Sequence, residues 1–394
     1  MKETRRLMLS ERALEYPASG IRTMFDLAAK YPDSINLTCG DPNFDTPTNI
    51  REAAKKALDE GYTHYSPNAG YQPLREAVAQ RYKQYYPFYS ADNVIITVGA
   101  LEALTLGLLA TIDPGDEVIV VDPYFSNYAG QILLAGGKTV TVNAYEENNY
   151  KVKAEDIEKV ITPKTKAVIL NFPCNPTGAV LEKEDVLEIA EMIKKYNLYL
   201  FSDEPYDTLL FDDAELYSFA QVDEIRSQVF ILNSFSKAYA MTGWRVGYML
   251  CDAKYMATLA HLQEGLVSCV STFSQVACVE ALTGSQDNQK QMIKEYKRRR
   301  DILLEGLNKI PGFRYRGTKG SFYSFVNIEA FGKSSQKFAE ELVKYAGVVT
   351  VPGSAFGKMG EGHLRLVFAN SDENLKEAVR RIDAYVRQAY PDIR

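Results

Sequence analysis

A lysine near the middle of the sequence is surrounded by residue types that bind anions. Two serines, Ser234 and Ser236, come just before Lys237, and Arg245 follows eight positions after it. A lysine in a partly enclosed site can lose its proton and attack a carbonyl carbon. Hydroxyl groups and a guanidinium are suited to hold a phosphate or another anion beside it. The stretch predicts an amine nucleophile next to an anion site, although an exposed loop lysine and a helix-surface arginine are compatible with the same residues.

A reactive amine next to a phosphate site is the combination that pyridoxal phosphate requires, because this cofactor carries both an aldehyde and a phosphate. The apolar run Val229–Leu232 precedes Lys237 and predicts a buried strand. The amine would then lie just beyond the end of that strand. Other residues that could do chemistry also follow predicted strands. They decide whether Lys237 is a reactive amine or an ordinary exposed lysine.

Two further polar side chains follow apolar strands. Asn175 lies between two prolines, which restrict the backbone and can aim its amide group, although a plain Asx turn has the same pattern. Asp203 ends the strand predicted at residues 198–202, where a buried and unpaired carboxylate would be costly. It therefore needs a cationic partner, such as a protonated pyridine nitrogen, unless it caps a helix or forms a structural ion pair. Tyr206 could donate its phenol to the same ligand.

Three other stretches complete the pattern. The strand-to-helix turn that contains Gly99 and Ala100 offers free backbone amides to an anion. Phe125 follows another strand and could stack on a flat ring, although it could also pack in the core. Arg365 alternates with apolar residues on the strand predicted at residues 363–368, so its side chain should face the side opposite to theirs. An arginine in that position is suited to bind a carboxylate through two hydrogen bonds.

The composition excludes several classes of function. The 394 residues include 46% apolar and 24% charged side chains, and the net charge of −6 is spread without blocks, which predicts a globular protein with no nucleic-acid partner. The five cysteines are widely spaced and only three histidines occur, so we expect free thiols and no metal site. The charged N-terminus has no signal peptide and no apolar run reaches about eighteen residues, so we expect no membrane segment and a cytoplasmic location.

Short apolar strands alternate with helices between residues 94 and 250. This order predicts an α/β fold with a mostly parallel sheet that is covered by helices on both faces. In such a sheet ligands bind beyond the carboxyl ends of the strands, where the residues above fall. The length of 394 residues favours two domains. We expect a large domain at 46–285 and a smaller α/β domain formed by 1–45 and 286–394.

Six segments, in their order and spacing, resemble the class I and II aminotransferases of fold type I, which use pyridoxal phosphate. The resemblance extends over essentially the whole chain and is closest in appearance to bacterial and archaeal aspartate or aromatic amino acid aminotransferases. It implies a large domain with a mostly parallel seven-stranded sheet between helices, and a smaller α/β domain. The segments are Leu37–Pro47, Tyr65–Gly70, Asn175–Gly178, Ser202–Tyr206, Ser234–Arg245 and Pro352–Phe356.

The resemblance implies a role for each candidate residue. Lys237 would bind the cofactor as a Schiff base and move a proton, and Asp203 and Tyr206 would complete the catalytic set. The cofactor-binding residues would be Tyr65, Gly99, Ala100, Leu101, Phe125, Asn175, Asp203, Tyr206, Ser234, Ser236, Lys237 and Arg245. The substrate-binding residues would be Gly40, Asn175 and Arg365, with the arginine on the α-carboxylate. Tyr65 would reach the phosphate of the neighbouring subunit, which implies a homodimer with a shared site.

The expected function follows from the same resemblance. The enzyme would move the amino group of an L-amino acid, of the aspartate or aromatic type, to a 2-oxo acid such as 2-oxoglutarate. A carbon–sulfur β-lyase on the same scaffold and a non-enzymatic effector-binding domain are the alternatives. An acidic substrate side chain would need a second cation in the site. Arg22 is a candidate for it, although a surface or helix-capping arginine is at least as good an interpretation.

Overall fold

The computed structural model describes residues 9–17 and 20–393. Residues 1–8, 18, 19 and 394 all fall in the predicted small domain and lie outside the described residues. The described strands are β1 (Ile35–Asn36), β2 (Val94–Thr97), β3 (Glu117–Asp122), β4 (Lys138–Asn143), β5 (Thr165–Asn171), β6 (Tyr199–Asp203), β7 (Val229–Ser234), β8 (Gly247–Leu250), β9 (Tyr323–Asn327), β10 (Val348–Val349), β11 (Val351–Pro352) and β12 (His363–Val367).

Helices separate most of these strands. They are α1 (Glu11–Glu15), α2 (Gly20–Ala28), α3 (Thr48–Asp59), α4 (Gln72–Tyr82), α5 (Gly99–Thr111), α6 (Asn127–Leu134), α7 (Ala154–Glu158), α8 (Lys183–Tyr196), α9 (Phe235–Ala238), α10 (Met256–Leu266), α11 (Thr272–Thr283), α12 (Asp287–Leu307), α13 (Ser335–Glu341) and α14 (Asp372–Ala389). A π-helical turn, Leu342–Ala346, follows α13.

Seven strands form the main sheet, in the order β2, β8, β7, β6, β5, β3, β4. β8 runs antiparallel to both of its neighbours, and the other described strand pairs of this sheet are parallel. Every residue of β2 and of β7 is buried, as expected for strands that are covered on both faces. The predicted α/β class and the mostly parallel seven-stranded sheet are therefore confirmed.

Alternate residues of the strands supply two hydrophobic clusters, one on each face of the sheet. On β2, Ile96 belongs to the cluster that includes residues of α4 and α8, and Ile95 belongs to the cluster that includes residues of α5 and α10. This division follows from the two-residue period of a strand. Because β5, β6 and β7 are parallel neighbours, the polar residues that end them meet at one edge of the sheet.

A second hydrophobic core lies outside the main sheet. β9, β11 and β12 form an antiparallel sheet, and β1 pairs with β10. Met24 and Leu37, from the N-terminal part of the chain, pack in this core with residues such as Phe338. The first described helix, α1, instead contacts the main-sheet part of the molecule. Arg12 of α1 donates to the backbone carbonyl of Leu134 on α6 at 3.2 Å. None of the helices in the described ranges has the length and apolar character needed to cross a membrane.

One carboxylate joins the main-sheet part of the molecule to the second core. Glu146 follows β4, and its side chain accepts hydrogen bonds from Arg314 at 2.7 Å and from Asn327 at 3.0 Å. Arg316 lies 3.3 Å from the same carboxylate, and His363 lies 3.7 Å from it. Asn327 ends β9 and His363 begins β12. Glu146 therefore contacts both of these paired strands.

Candidate active site

A cavity of about 280 Å³ lies beyond the ends of β5, β6 and β7, between the main sheet and the second core. Its lining includes all the residues that the sequence predicts for cofactor and substrate except Gly99 and Tyr65. These lining residues are Gly40, Ala100, Leu101, Phe125, Asn175, Asp203, Tyr206, Ser234, Ser236, Lys237, Arg245 and Arg365. The fold thus brings together side chains from segments that are widely separated in the sequence.

Lys237 lies on α9, directly after β7. Its Nζ donates a 2.5 Å hydrogen bond to the backbone carbonyl of Gly40. Burial lowers the pKa of the Lys237 amine to about 8, and it outweighs the opposing effect of the Asp41 carboxylate, while the positive charge of Arg245 adds to the lowering. The neutral amine, which is the nucleophilic form, is therefore accessible near neutral pH.

Asp203 is the last residue of β6 and is buried. Its Oδ2 accepts a 2.5 Å hydrogen bond from the Tyr128 hydroxyl, and its Oδ1 is buried with no hydrogen-bond partner among the described residues. Burial raises the pKa of Asp203 to about 7, and the hydrogen bond from Tyr128 opposes this increase. A cation beside Oδ1 would stabilise the carboxylate, and a protonated pyridine nitrogen is such a cation.

A chain of hydrogen bonds links Asp203 to Arg365. Asn171, the last residue of β5, donates from Nδ2 to the backbone carbonyl of Asp203 at 2.8 Å. Its Oδ1 accepts from the backbone amide of Asn175, also at 2.8 Å. The Oδ1 of Asn175 in turn accepts from the guanidinium of Arg365 at 2.9 Å. This asparagine relay, Asn171 and Asn175, holds the loop after β5 between the two charged groups.

Arg365 lies on β12 and is almost completely buried, with 2% of its surface exposed. Its guanidinium donates to the Thr38 carbonyl at 2.7 Å and lies over the rings of Tyr323 and Phe356, at 4.5 and 4.7 Å from their centres. The hydroxyl of Tyr323 is 2.9 Å from that of Tyr206. The Nε of Arg365 has no partner among the described residues. A buried arginine with an unpaired donor is suited to a carboxylate ligand.

Another part of the cavity has the chemistry of an anion site. The first amides of a helix have no partner within that helix, and Ala100 and Leu101 of α5 line the cavity. Arg245 donates to the carbonyl of Val98 at 3.3 Å. Gly99 permits this close approach, because a Cβ at that position would lie 2.4 Å from the Arg245 guanidinium. Gly99 also has a φ of +76°, which favours glycine.

Two buried serines extend this anion site. Ser234 ends β7, and its Oγ accepts a hydrogen bond from the backbone amide of Ser236 at 2.9 Å. Both serines line the cavity, as does Arg245. Two hydroxyls and a guanidinium next to a helix N-terminus form a donor set that is suited to a phosphate.

Besides Gly99, two of the residues considered from the sequence are absent from the cavity lining. Tyr65 is 89% exposed, and it is not among the residues that line this cavity. The side chain of Arg22, on α2, is 78% exposed, and its Nε lies 3.4 Å from the carboxylate of Asp26. The α2 residues that do line the cavity are Ile21 and Phe25. The structure therefore does not bring Arg22 into the site.

Several residues of the site have no assignment from the sequence. Tyr128, Asn171 and Tyr323 contact predicted residues directly, and Thr38 and Gln131 also line the cavity. The position of Asn171 at the end of an apolar strand is a signal that could have identified it. The two tyrosines give no comparable signal, because their partners are distant in the sequence.

The donor set fits pyridoxal phosphate. This cofactor has a basic ring nitrogen, an aldehyde and a phosphate, and the cavity offers a carboxylate, an amine with a lowered pKa and a group of anion donors. The most direct observation is the buried Oδ1 of Asp203, which lacks a partner among the described residues. Within the same ranges, no group of three or more His, Cys, Asp or Glu side chains is arranged to hold a metal ion.

Comparison with known proteins points to one family. Residues 32–382 match the model of the family described as aminotransferase class I and II. An aspartate aminotransferase of Pyrococcus horikoshii is 42% identical over 97% of this chain and 98% of the relative. Aromatic-amino-acid aminotransferase 2 of Thermococcus litoralis is 41% identical over 97% and 99%. The structure of an aspartate aminotransferase from Thermus thermophilus with maleate has a TM-score of 0.92 at 36% identity, covering 96% of this chain and 100% of that chain.

The family match and the cavity agree with each other. The match covers most of the chain, and the similarity to solved structures extends over the same fold. The lysine, the unpaired carboxylate oxygen and the buried arginine at one cavity provide the chemistry that this family requires. The chain therefore belongs to the class I and II aminotransferases of fold type I, and it is a pyridoxal-phosphate-dependent enzyme that acts on an amino acid and a 2-oxo acid.

Proposed function

We propose that this enzyme transfers the amino group of an L-amino acid of the aspartate or aromatic type to a 2-oxo acid such as 2-oxoglutarate, with Lys237, Asp203 and Tyr206 as its catalytic residues. The observation that supports this most directly is the cavity at which a lysine of lowered pKa, an unpaired carboxylate oxygen and a buried arginine meet. The names of two relatives, an aspartate and an aromatic-amino-acid aminotransferase, support the substrate types.

The proposed cofactor contacts divide into two groups. The phosphate-binding residues are Gly99, Ala100, Leu101, Ser234, Ser236 and Arg245. The ring-binding residues are Phe125, Asn175, Asp203 and Tyr206. The support for both groups is the chemistry of the donors and, except for Gly99, their position at the cavity. Gly99 contributes through its backbone and through the space that it leaves for the Arg245 guanidinium.

Bound pyridoxal phosphate supplies an aldehyde that combines with amino groups and a ring that withdraws electrons from the bonds at the substrate Cα. Lys237 is the base in this proposal. Its Nζ has a pKa of about 8 and is neutral at higher pH. In the neutral form it removes the proton from the substrate Cα and later returns a proton. Asp203 would hold the positive charge of the ring nitrogen in place through its unpaired Oδ1, and that charge would in turn stabilise the carboxylate.

Arg365 is the proposed ligand of the substrate α-carboxylate, together with Asn175 and Gly40. The unpaired Nε and the hydrogen bond from the guanidinium to Asn175 support this role. The backbone carbonyl of Gly40 accepts a 2.5 Å hydrogen bond from the Lys237 amine, which places Gly40 beside the base. A carboxylate held by this group loses rotational freedom, so that one bond at Cα faces the base.

We also propose that the enzyme is a homodimer in which the Tyr65 hydroxyl of each subunit binds the phosphate of the other. The large exposure of the Tyr65 ring supports a contact between subunits. In this arrangement a Tyr65→Phe variant remains a dimer in sedimentation but binds pyridoxal phosphate more weakly. A fully active monomer would contradict the shared site.

The division into domains at 46–285, and at 1–45 with 286–394, remains our proposal. It is supported by the separate hydrophobic clusters of the main sheet and of the C-terminal part, the second of which includes Met24. The contact of Arg12 with Leu134 indicates that α1 lies against the larger part. A cytoplasmic location stays a prediction from the sequence.

The deciding experiment compares the purified protein with a Lys237→Ala variant. With pyridoxal phosphate, the unmodified protein should show the visible absorption of covalently bound cofactor, and this absorption should change on addition of an L-amino acid and return on addition of a 2-oxo acid. The variant should show neither the absorption nor the transfer. Full turnover by the variant would remove Lys237 from the mechanism. Release of pyruvate and ammonia without a 2-oxo acid would instead support the β-lyase alternative.

A further inference from the structure

Three described cations line the cavity, and the proposed function assigns a ligand group to each. Lys237 receives the cofactor aldehyde, Arg245 the phosphate and Arg365 the substrate α-carboxylate. The one carboxylate in the described lining, Asp203, adds negative charge. A second carboxylate, on the substrate side chain, would therefore enter the cavity without a cation from the described lining of the same subunit to pair with it. Burial of an unpaired carboxylate is strongly unfavourable.

Apolar side chains make up much of the lining, including two residues, Leu101 and Phe125, that are also proposed to contact the cofactor. Ile21 and Phe25 come from α2, Leu101 and Leu104 come from α5, and Phe125 follows β3. Leu101 is 39% exposed, so it has apolar surface that a ligand can cover. Contact with these side chains stabilises an apolar or aromatic group and offers nothing to a charged one.

One unpartnered polar atom of the lining disfavours an anion as well. Besides Asp203 and Arg365, the described lining contains one more buried polar atom without a hydrogen-bond partner, the Oε1 of Gln131. The amide orientation is fixed, because Nε2 donates to the Leu101 carbonyl at 2.7 Å and a carbonyl can only accept. Oε1 can therefore only accept, so that it repels a carboxylate and suits a donor such as a phenol or an indole N–H.

The nearest basic residue of α2 does not supply the missing cation. Ile21 and Phe25 are four positions apart and share the helix face that lines the cavity. Arg22 lies on a different face, where its side chain is 78% exposed and lies close to Asp26. The cation that an acidic substrate needs is thus absent from α2 as well as from the rest of the described lining.

We infer that the preferred amino donor has an uncharged aromatic side chain, that aspartate is a poor donor, and that Ile21 and Phe25 help to set this preference. The inference rests on the proposed function, because it depends on the ligands assigned to the three cations. It concerns the amino donor, and it narrows the two substrate types of the proposed function to one.

The test is a set of half-reactions with the full-length protein saturated with pyridoxal phosphate. The change in cofactor absorption is followed with phenylalanine, tyrosine and aspartate at several concentrations. We expect the second-order rate constant for the aromatic donors to exceed that for aspartate at least about tenfold, since an unpaired charge must be buried. Equal or faster reaction with aspartate would overturn the inference and leave the aminotransferase activity intact. Absence of reaction with every donor would overturn the proposed function, and the inference with it.

Two variants test the part played by α2. Ile21→Arg places a cation in the lining, and we expect it to raise the ratio of aspartate to phenylalanine rate constants about tenfold. Arg22→Ala is the matched control one position away, and the ratio should stay as in the unmodified protein. An unchanged ratio in Ile21→Arg, with the cofactor still bound, would overturn the role of α2. A large loss of the aspartate reaction in Arg22→Ala would show that this arginine binds an acidic substrate and would overturn the inference.

Discussion

Tyr128 donates a 2.5 Å hydrogen bond to Asp203, and this contact occupies one of the two oxygens of the carboxylate that ends β6. The tyrosine belongs to α6 and the aspartate to the sheet, so the packing of this helix on the sheet determines the distance between them. The hydrogen bond opposes burial, which raises the pKa of Asp203 to about 7. Tyr128 therefore favours the ionised carboxylate that the proposed mechanism needs.

Removal of this hydrogen bond should weaken catalysis without removing the cofactor. In Tyr128→Phe the pKa of Asp203 should rise further, because only the effect of burial remains. We expect the rate of the amino-acid half-reaction at neutral pH to fall about tenfold, since a hydrogen bond to a charged group contributes about 1.5–3 kcal/mol. The loss should be smaller at higher pH, where Asp203 is ionised in both proteins. Tyr124→Phe is the control, because Tyr124 lies between β3 and α6 and is not among the residues that line the cavity. An equal effect in both variants would contradict a specific role for Tyr128.

A change of the buried arginine should act on substrate affinity. Arg365→Lys keeps the positive charge but loses the planar group that contacts Thr38 and Asn175 and carries the unpaired Nε. We expect the dissociation constant of an amino acid substrate to rise on the order of tenfold to a hundredfold, with the visible absorption of the bound cofactor preserved. A titration of that absorption with the amino acid measures both. An unchanged affinity would contradict the assignment of the α-carboxylate to Arg365.

The lowered pKa of Lys237 predicts a pH dependence. The neutral amine is the reactive form, so covalent binding of pyridoxal phosphate to the apo-protein should accelerate as the pH rises through about 8 and then level off. Stopped-flow absorption over a range of pH values gives the midpoint. Asp41→Asn removes a carboxylate that raises this pKa and should shift the midpoint lower. A midpoint near 10.5, the ordinary value for lysine, would mean that burial does not act on the amine.

The contact of Glu146 with β9 and β12 should contribute to stability. Glu146→Gln removes the charge that Arg314 and Arg316 face, and we expect the free energy of unfolding to fall by about 1–3 kcal/mol. Glu147→Gln, an exposed neighbour, should change it by less than about 0.5 kcal/mol. Denaturant titration of the three proteins measures the difference, and equal stabilities would show that the Glu146 contacts contribute nothing.

The stabilising effect of the Glu146 carboxylate should also depend on pH. Burial acts to raise the pKa of Glu146, but the hydrogen bonds from Arg314 and Asn327 and the nearby positive charge of Arg314 together outweigh it, so the pKa is lowered from 4.5. A carboxylate of lowered pKa stabilises the fold above its unfolded-state pKa and loses this effect as the pH falls through the folded-state value. The stability gap between the unmodified protein and Glu146→Gln should therefore narrow below pH 4.5. A gap that widens in acid would contradict the assignment.

The sequence predicts the fold well because its strands are short, apolar runs, and β2 and β7 are indeed buried along their whole length. It also predicts the lining residues that stand at strand ends, such as Asp203 and Lys237. It could not predict Tyr128 or the asparagine relay, because these contacts depend on packing between segments that are 75, 32 and 190 residues apart. The sequence also could not predict which face of α2 meets the cavity, because Ile21, which lines it, and Arg22, which does not, are adjacent in the sequence. Tyr65 is a different case, because its proposed role needs a second subunit.

The asparagine relay has a consequence for how this enzyme could change its specificity. Asn171 and Asn175 join the backbone of Asp203 to the guanidinium of Arg365 through three hydrogen bonds. The relay thus sets the distance between Asp203, the proposed partner of the cofactor ring, and Arg365, the proposed ligand of the substrate α-carboxylate. Every amino acid has the same backbone, so this spacing serves all of them. On the proposed assignments, substitutions of the lining residues on α2 and α5 should alter the choice of side chain while the reacting bond keeps its position.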